Sequence, residues 1–476
     1  MFDQTFSAAN FEAIFEIELR KGLVDFNQMP QEYREAATNV KAVRAELALL
    51  RKKKKTTWSQ TEKEDYAFWC EELKIRLADK EDALKKDMEA LSVAANMSGF
   101  GFQLRLHMYG GKQYFEVDKA DRVQHFAMKC LQRNLVKAFG VEMVNRHTVM
   151  ANLKLMLNNN LPIYIIRTDI QHFFESISQE RLVSLIERNS ILSNKSKGLI
   201  KNIMACYEEI KDKRLVAAGK GVPRGIGISS ALSEIYLDEL DKMIKGRKEV
   251  IFYVRYVDDI FMIMSSMPYG FTLASYYQDL ENEFHKYGLD LQPVGNGKCQ
   301  LLDYYKPVNG RPHDESLTYL GYCLYLNKDA KNCRTTKFGM SDERKRRFKS
   351  RVDNVFDRFK LELKYDIRQA KRDLKDGLNL ITGNIRLSKA KEGVKVGFYY
   401  NNDLLDVEQD FMDLEDYLHS KHIRVPANLF ADPADERAFV KKRRDFIQSI
   451  RLKERWTEKK TFDIGVSRLK EIRKWL

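Results

Sequence analysis

Apolar residues recur at helical spacing through the first 100 residues of the chain. Two such groups are visible: Phe11, Ile14, Phe15 and Ile17, then Val40, Val43, Leu47 and Leu50. A basic run of Arg51 and four lysines at 52–55 follows, and Ser59 then stands three residues before Glu62. Ser and Glu at that spacing form a capping box, which begins a helix. The pattern predicts a helical hairpin with a basic tip, which is either a solvated loop or a nucleic-acid contact.

The pattern changes twice further along the chain. Glycines at 99, 101, 110 and 111 mark the first change. From about residue 161 to 326, short apolar runs alternate with helical segments, which is typical of a sheet with packed helices. Beyond residue 326 charged helical patterns return, at 342–378 and again from about 434. We therefore predict an α+β protein in three parts: a helical region at 1–100, a mixed region at 101–326 and a helical region at 327–476.

Composition narrows the class of partner. The 476 residues include 82 Lys and Arg against 68 Asp and Glu, a net charge of +14, and the pI is near 9.2. This charge predicts a polyanionic partner. No apolar run approaches the roughly 18 residues of a membrane-spanning helix, so we expect no membrane association. The six cysteines form no CxxC pair, which argues against a zinc site or a disulfide framework and favours reduced thiols in the cytoplasm.

Three aspartates lie where predicted strands end. The tetrapeptide Tyr256-Val257-Asp258-Asp259 separates two β-prone runs, and another predicted strand ends at Asp169. Aspartate is depleted in strands, so an adjacent pair between two strands lies at a turn or has a chemical role. Carboxylates from neighbouring strand ends are the hard oxygen ligands that two Mg²⁺ ions require in phosphoryl transfer. For the tetrapeptide alone, the alternative is a hairpin turn with solvated aspartates.

A glycine-rich stretch, GVPRGIGISS at 221–230, lies between these segments and precedes a helical pattern. Glycines and small residues before a helix let the backbone approach a ligand closely. Such a loop is weak evidence by itself, but its place between Asp169 and Asp258 makes it informative.

In this order the segments resemble the motifs of bacterial reverse transcriptases related to group II intron and retron enzymes. RTDIQHFFESI at 167–177 resembles motif A, GVPRGIGISSALSEIYL at 221–237 motif B, and YVDD at 256–259 motif C. Segments at 288–298 and 317–322 resemble motifs D and E, and Asp121-Arg122 is similar to the start of a fingers segment. SSALSEIYLDELD at 229–241 is most similar to abortive-infection and other defence-associated members. The resemblance covers about residues 100–330.

The resemblance implies a right-hand polymerase fold, with fingers, a palm whose antiparallel sheet carries the YVDD hairpin, and a helical thumb. It implies an RNA-directed DNA polymerase that uses two Mg²⁺ ions, or Mn²⁺ as a substitute, to add dNTPs to a primer 3′-hydroxyl. The implied partners are an RNA template, expected to be a noncoding RNA, and the DNA product. Further copies of the chain or an accessory protein remain open, and the expected setting is antiphage defence.

The resemblance also implies individual roles. Asp169, Asp258 and the backbone carbonyl of Ile170 would hold the metal ions, with Asp259 supporting them. Lys298 would donate a proton to pyrophosphate. Phe174 falls at the steric gate that excludes a ribose 2′-hydroxyl, with plain core packing as the alternative. Other implied substrate contacts are Arg122, Pro223, Arg224 and Gly225, and the implied primer grip is Leu320, Gly321 and Tyr322.

Some features depart from the family or surround its motifs. Many relatives have Gln where this chain has Arg224, whose guanidinium suits phosphate or base contact. Nothing resembles an HNH endonuclease, a zinc module or an RNase H domain. Outside the palm, the predicted nucleic-acid contacts are Arg346, Arg347, Lys441, Lys442, Arg443 and Arg444. Solvated helix faces are the alternative for these basic residues.

Other functions fit the same palm. One alternative is a template-independent or protein-primed DNA polymerase, and another is an RNA-dependent RNA polymerase. A third is a catalytically inert scaffold that binds nucleic acid, against which the presence of Asp169, Asp258 and Asp259 argues.

Overall fold

A computed structural model describes residues 2–21, 23–52, 58–118, 120–142, 144–158, 163–303, 314–328, 334–386, 395–426 and 429–476. The helices, in chain order, are α1 (Ala8–Arg20), α2 (Gln31–Leu50), α3 (Gln60–Asn96), α4 (Arg122–Phe139), α5 (Arg146–Leu157), α6 (Phe173–Ser176), α7 (Gln179–Arg188), α8 (Asn194–Ile210), α9 (Ser229–Lys245), α10 (Leu273–His285), α11 (Asp342–Glu362), α12 (Ile367–Thr382), α13 (Gln409–His419), α14 (Pro433–Gln448), α15 (Leu452–Thr457) and α16 (Val466–Ile472). The strands are β1 (Leu104–Tyr109), β2 (Lys112–Val117), β3 (Tyr164–Asp169), β4 (Val250–Tyr256), β5 (Asp259–Met264), β6 (Gln300–Asp303), β7 (Asp314–Tyr319), β8 (Tyr322–Lys328), β9 (Arg334–Met340), β10 (Asn384–Arg386), β11 (Lys395–Gly397) and β12 (Thr461–Phe462).

The chain divides into two compact units that are each assembled from separate segments. The first unit comprises Met1–Met143, Gln171–Lys242 and Glu281–Asp290, and the second comprises Val144–Ile170, Met243–Leu280 and Leu291–Leu476. The predicted division into three parts at residues 100 and 326 stays a prediction. Within the described ranges, no helix combines the length and the apolar character needed to cross a membrane.

The first unit contains the predicted helical hairpin, formed by α2 and α3. The predicted capping box is present, because Ser59 Oγ accepts from the Glu62 backbone N–H at 3.1 Å and Glu62 Oε2 accepts from the Ser59 N–H at 2.9 Å. These two bonds satisfy backbone donors that a helix start otherwise leaves open. The apolar face of α2 is buried as predicted at Val40, Val43 and Leu47. Lysines 53–55 of the basic run lie outside the described residues.

The α1 helix shows where the apolar pattern was less accurate. Phe11, Ile14 and Phe15 are buried, and the Phe11 ring lies 5.8 Å from the ring of Phe126 on α4. Ile17, by contrast, is 49% exposed, so it lies off the packed face. Counted from Phe11, the packed face comprises positions i+3, i+4 and i+7, the last of which is the buried Glu18, whereas Ile17 is at i+6.

The second unit is organised around an antiparallel sheet with strand order β4-β5-β3-β6. The two central strands, β3 and β5, pair along their whole length. Ile260 to Met264 on β5 are all fully buried, so both faces of this strand are covered. That burial explains why the segment is a continuous apolar run and not an alternating one. An α+β fold with an antiparallel sheet that carries the YVDD hairpin is confirmed.

Two smaller sheets and the C-terminal helices complete the second unit. The strands β7, β8 and β9 form an antiparallel sheet, and β11, β10 and β12 form another. The predicted helical stretch at 342–378 is two helices, because Asp366 accepts from the backbone N–H groups of Arg368 and Gln369 and begins α12 there. The sheet β11-β10-β12 was not predicted, since strands of two or three residues are too short to show a pattern.

Candidate active site

The YVDD segment forms a tight turn with a strained residue. Tyr256 pairs with Asp259 across β4 and β5, so Val257 and Asp258 are the two turn residues. Val257 has φ +62°, a left-handed conformation that is unusual for a β-branched side chain. Its carbonyl accepts from Nη1 of Arg255 at 2.8 Å, and Arg255 is itself buried. A buried guanidinium therefore holds the turn in a conformation that the side chain of Val257 disfavours.

The structure brings the three predicted acidic residues together. Asp169, the last residue of β3, lies directly across from Asp259, the first residue of β5. Directly opposed residues on antiparallel strands have Cβ atoms about 4.5–5.5 Å apart. Ile170 then donates its backbone N–H to the Asp258 carbonyl at 2.9 Å, which ties the end of β3 to the YVDD turn. Sequence positions 89 residues apart thus form one carboxylate cluster.

Two basic side chains and one amide side chain contact this cluster. Lys298 Nζ lies 3.4 Å from Asp169 Oδ1, and Arg167 Nη2 lies 3.6 Å from Asp259 Oδ1. Gln292 Nε2 also donates to Asp169 Oδ1, at 3.2 Å. Arg167 further donates to the Lys298 backbone carbonyl at 2.6 Å, so its side chain is tied to the segment that carries Lys298. Lys298 therefore lies beside Asp169, and its role as proton donor stays a prediction.

Arg167 and Gln292 were missed in the sequence. Arg167 precedes Asp169 by two residues on β3, and residues two apart on a strand share a face. That period of two is a signal that could have identified it. Gln292 lies 123 residues from Asp169 and carries no local signal.

The surroundings of Asp259 change its acidity. Burial raises the pKa of Asp259 to about 6 from its ordinary value of 3.8. Arg167 acts against this rise, whereas the negative charges of Asp258 and Asp169 add to it. Three carboxylates that repel one another in a partly buried place are poised to take up positive charge.

We expect the Asp259→Asn substitution to stabilise the metal-free protein in a pH-dependent way. Because the folded-state pKa exceeds the ordinary value, ionisation of Asp259 costs folding free energy, and the cost grows as pH rises from about 4 through 6. Asparagine does not ionise, so the melting temperature of the variant relative to the wild type should rise over that range. The gain in the free energy of unfolding has an upper bound of about 3 kcal/mol. The actual gain is smaller because the Asp259 side chain is partly exposed. Thermal unfolding in chelator-containing buffers measures this, and a difference that is constant with pH would contradict the raised pKa.

The donor chemistry of the cluster fits divalent cations. Asp169, Asp258 and the Ile170 carbonyl supply the hard oxygen atoms that Mg²⁺ prefers. No set of three or more His, Cys, Asp or Glu side chains among the described residues is already arranged around a single ion position. In the structure, Asp169 contacts Lys298 and Asp259 lies near Arg167. The raised pKa of Asp259 fits a place for a cation, since an added positive charge would relieve the repulsion.

The predicted primer grip is a second strained turn in the same unit. Leu320 and Gly321 connect β7 to β8 with φ angles of +45° and +77°. Arg146 at the start of α5 donates from Nε to the Leu320 carbonyl at 2.8 Å. The guanidinium carbons of Arg146 and Arg344 each lie 5.1 Å from the centre of the Tyr322 ring. The turn is therefore fixed by cationic side chains, of which Arg146 was not predicted.

A basic cavity of about 770 Å³ adjoins this turn and the carboxylate cluster. Asp259 and Tyr256 line one part of it and Leu320 and Gly321 another. Its cationic lining consists of Arg146, Arg167, Arg344, Arg347, Arg351 and Arg473. The predicted contact Arg347 thus faces the cavity, whereas Arg346 is exposed on α11 outside this lining. Such a cavity suits a phosphate-bearing strand whose end reaches the carboxylates.

The predicted basic residues of α14 lie elsewhere in the second unit. Lys441, Lys442 and Arg444 are exposed, while Arg443 is half-buried with its guanidinium carbon 4.2 Å from the Phe439 ring centre. The exposed three are accessible to an anionic partner. Arg443 has a packing role in addition to its charge.

In the first unit, the predicted gate residue and glycine loop contact each other. Phe173 is buried and Phe174 half-buried, so the first of the two rings is the core residue. Arg224 pairs with Glu175, and its guanidinium carbon lies 4.9 Å from the centre of the Phe174 ring. Pro223 accepts from the Ser229 hydroxyl, and Gly225 has φ +108° with Phe115 O only 2.7 Å from where a Cβ would stand. Glycine is therefore required at 225.

Arg122 is held in an ion pair. Both of its terminal nitrogens donate to the Asp87 carboxylate, at 2.6 Å and 2.5 Å, and both side chains are largely buried. Contact with a triphosphate, which the sequence predicts for Arg122, would require it to leave this bidentate pair.

One family model and several solved structures are similar to this chain. A family model described as reverse transcriptase (RNA-dependent DNA polymerase) matches residues 119–324, and no curated protein matches the chain. Apo telomerase from Candida tropicalis is 15% identical, with a TM-score of 0.36 over 60% of this chain and 57% of that one. Telomerase from Candida tropicalis in complex with a TWJ fragment of telomeric RNA is 13% identical, with a TM-score of 0.35 over 68% and 64% of the two chains. The Candida albicans telomerase with such a fragment is 11% identical, with a TM-score of 0.32 over 66% and 57%.

The chain thus spans less than two thirds of the length of these telomerases. The matched family segment includes the three aspartates, the glycine loop and the grip turn. The predicted enzyme class and right-hand α+β fold are confirmed at the level of this segment. Residues 119–324 of this chain are therefore a reverse transcriptase domain.

Proposed function

We propose that this protein is an RNA-templated DNA polymerase that adds dNTPs to a primer 3′-hydroxyl. The observation that carries the proposal is the carboxylate cluster of Asp169, Asp258 and Asp259 at the strand ends of a reverse transcriptase domain. Two divalent cations bound there would stabilise both the attacking and the leaving oxygen of the phosphoryl transfer. Asp169, Asp258 and the Ile170 carbonyl are the proposed ligands, and Asp259 supports them.

The chain's own side chains have distinct proposed tasks. Lys298, next to Asp169, carries a proton suited to the departing pyrophosphate. The basic cavity would hold the primer strand through its phosphates, with the Leu320–Gly321 turn against the terminal nucleotide. Phe174 would exclude the ribose 2′-hydroxyl of an incoming NTP. In each case the support is the resemblance of the motif together with the position of the side chain.

Primer extension tests the proposal. We expect the purified protein with Mg²⁺ to extend a DNA primer on an RNA template with dNTPs, and chelation by EDTA to stop the reaction. Preference for NTPs would identify an RNA polymerase, and incorporation without template would identify a template-independent one. Labelled product that stays with the protein through denaturation would identify protein priming. A protein that binds the duplex yet incorporates nothing would be the scaffold of the alternative hypothesis.

A second part of the proposal concerns the cellular role of this activity. We propose a cytoplasmic role in antiphage defence with a noncoding RNA template, supported by the resemblance of residues 229–241 to defence-associated enzymes. Cells that carry the wild-type gene should plate phage less efficiently than cells that carry Asp258→Ala, at equal protein levels. Sequencing of the RNA that copurifies with the protein should recover one defined species. Equal plating of phage on the two strains, together with a random population of copurified RNA, would contradict this role.

A further inference from the structure

The geometry around Glu175 points to a device that sets nucleotide selection. We propose that Glu175 and Arg224 act as positioning residues: they hold the Phe174 ring in one orientation and so determine how strongly dNTPs are preferred over NTPs. This inference rests on the proposed polymerase function. It assigns a role to Glu175, which sequence reasoning did not single out.

The contacts form a closed set of three side chains. Nη2 of Arg224 lies 3.0 Å and 3.1 Å from the two carboxylate oxygens of Glu175. The same guanidinium lies over the Phe174 ring at 4.9 Å and over the Tyr114 ring at 5.9 Å. Both charged side chains are only about one fifth exposed, so the ion pair is shielded from solvent on most sides. A shielded, planar guanidinium against a ring face restrains the ring more than a mobile surface cation would.

A second ring also contacts Phe174. The ring of Phe173, which is buried, lies 5.6 Å from that of Phe174. Phe174 therefore contacts both a core ring and the guanidinium of Arg224. Side chains with several packed neighbours have few alternative rotamers.

Backbone hydrogen bonds tie together the segments that carry the ion pair. Val222 donates its N–H to the Phe174 carbonyl at 2.8 Å, and the Arg224 carbonyl accepts from the Phe115 N–H at 2.7 Å. A Cβ at Gly225 would stand 2.7 Å from the Phe115 carbonyl oxygen, so the loop that carries Arg224 packs closely against β2. Glu175 follows Phe174 directly on α6, so one short helix carries both the ring and the partner of Arg224.

A steric gate works only if the ring stays where it collides with the 2′-hydroxyl. Loss of the Glu175 charge would release Arg224, and Phe174 would then sample orientations that admit the ribose. Glu175 does not belong to the carboxylate cluster, so dNTP incorporation should persist. The predicted effect is therefore confined to the ratio of dNTP to NTP incorporation.

Single-nucleotide incorporation with Glu175→Gln tests the proposal, because glutamine keeps the shape and removes the charge. We expect kcat/KM for the NTP to rise about 10-fold while that for the matching dNTP stays within about 3-fold. Asp212→Asn is the matched control, since Asp212 pairs with Arg214 on an exposed loop of the same unit and its loss should leave the ratio unchanged. Phe174→Ala should lower the preference further, and adding Glu175→Gln to Phe174→Ala should change nothing more.

Three outcomes would overturn the inference. An unchanged ratio in Glu175→Gln would show that the gate does not depend on the pair. Equal losses of dNTP and NTP incorporation would assign Arg224 to direct nucleotide contact. Additive effects of Glu175→Gln and Phe174→Ala would show that the two act separately. Failure of the wild type to incorporate dNTPs would instead refute the proposed function, so the two failures are distinguishable.

Discussion

Replacement of Asp258 by asparagine is expected to lower DNA synthesis by a factor of about 10³ or more while the protein remains folded. Asparagine has nearly the same shape but lacks the negative charge that attracts a divalent cation. The Asp258 backbone carbonyl, which accepts from Ile170, is kept in the variant. Single-turnover primer extension at saturating dNTP measures the loss, and thermal unfolding verifies the fold.

A matched substitution separates this effect from a general loss of charge in the sheet. Asp303→Asn removes a carboxylate from β6. Asp303 lies across from Tyr164 in the register of β3 and β6, at the end of β3 far from Asp169. This variant should synthesise DNA at nearly the wild-type rate. Full activity in Asp258→Asn, or equal losses in both variants, would contradict the assignment of the carboxylate cluster as the catalytic site.

The double substitution Arg347→Gln with Arg351→Gln is expected to weaken primer–template binding by about 10- to 100-fold near physiological salt. The two exposed arginines lie one helical turn apart on α11, and both line the basic cavity. The slope of log K against log salt is negative. If each arginine contacts one phosphate, the slope should become less negative by about 2 in the double variant. Fluorescence anisotropy with a labelled RNA–DNA duplex at several salt concentrations measures both quantities.

The control for this experiment removes the same number of charges from the same helix. Arg346→Gln with Lys360→Gln changes two exposed cations that lie outside the described lining of the cavity. We expect a much smaller loss of affinity in this variant. Equal losses in the two double variants would indicate that α11 attracts the duplex through its overall charge and not through the cavity.

The sequence predictions were accurate where the interacting residues lie close together in the chain, and less accurate where they lie far apart. The capping box at Ser59 and the hairpin at YVDD depend on residues a few positions apart, so local pattern was sufficient to identify them. Asp169 was found because it ends a strand. Arg146 and Gln292 were missed because their partners lie 174 and 123 residues away. No spacing rule connects residues that only the completed fold brings together.

The same reasoning explains two other discrepancies. The break between α11 and α12 depends on Asp366 capping a new helix, although the charged pattern continues across it. Glu175 follows two phenylalanines and was not singled out, because its partner Arg224 lies 49 residues further on. A charged residue next to buried apolar residues indicates that an oppositely charged partner lies nearby in the fold.

The strand order β4-β5-β3-β6 has a consequence for synthesis on the ribosome. The central strand β3 is complete at Asp169, but its neighbours β5 and β6 are made only around residues 259–264 and 300–303. At about 5–20 residues per second, β3 waits roughly 5–20 s for its first partner. During that interval its apolar residues and unpaired backbone groups are exposed to other nascent chains. The segment that supplies the first proposed catalytic carboxylate is thus one that needs protection from aggregation by a chaperone while the chain is being made.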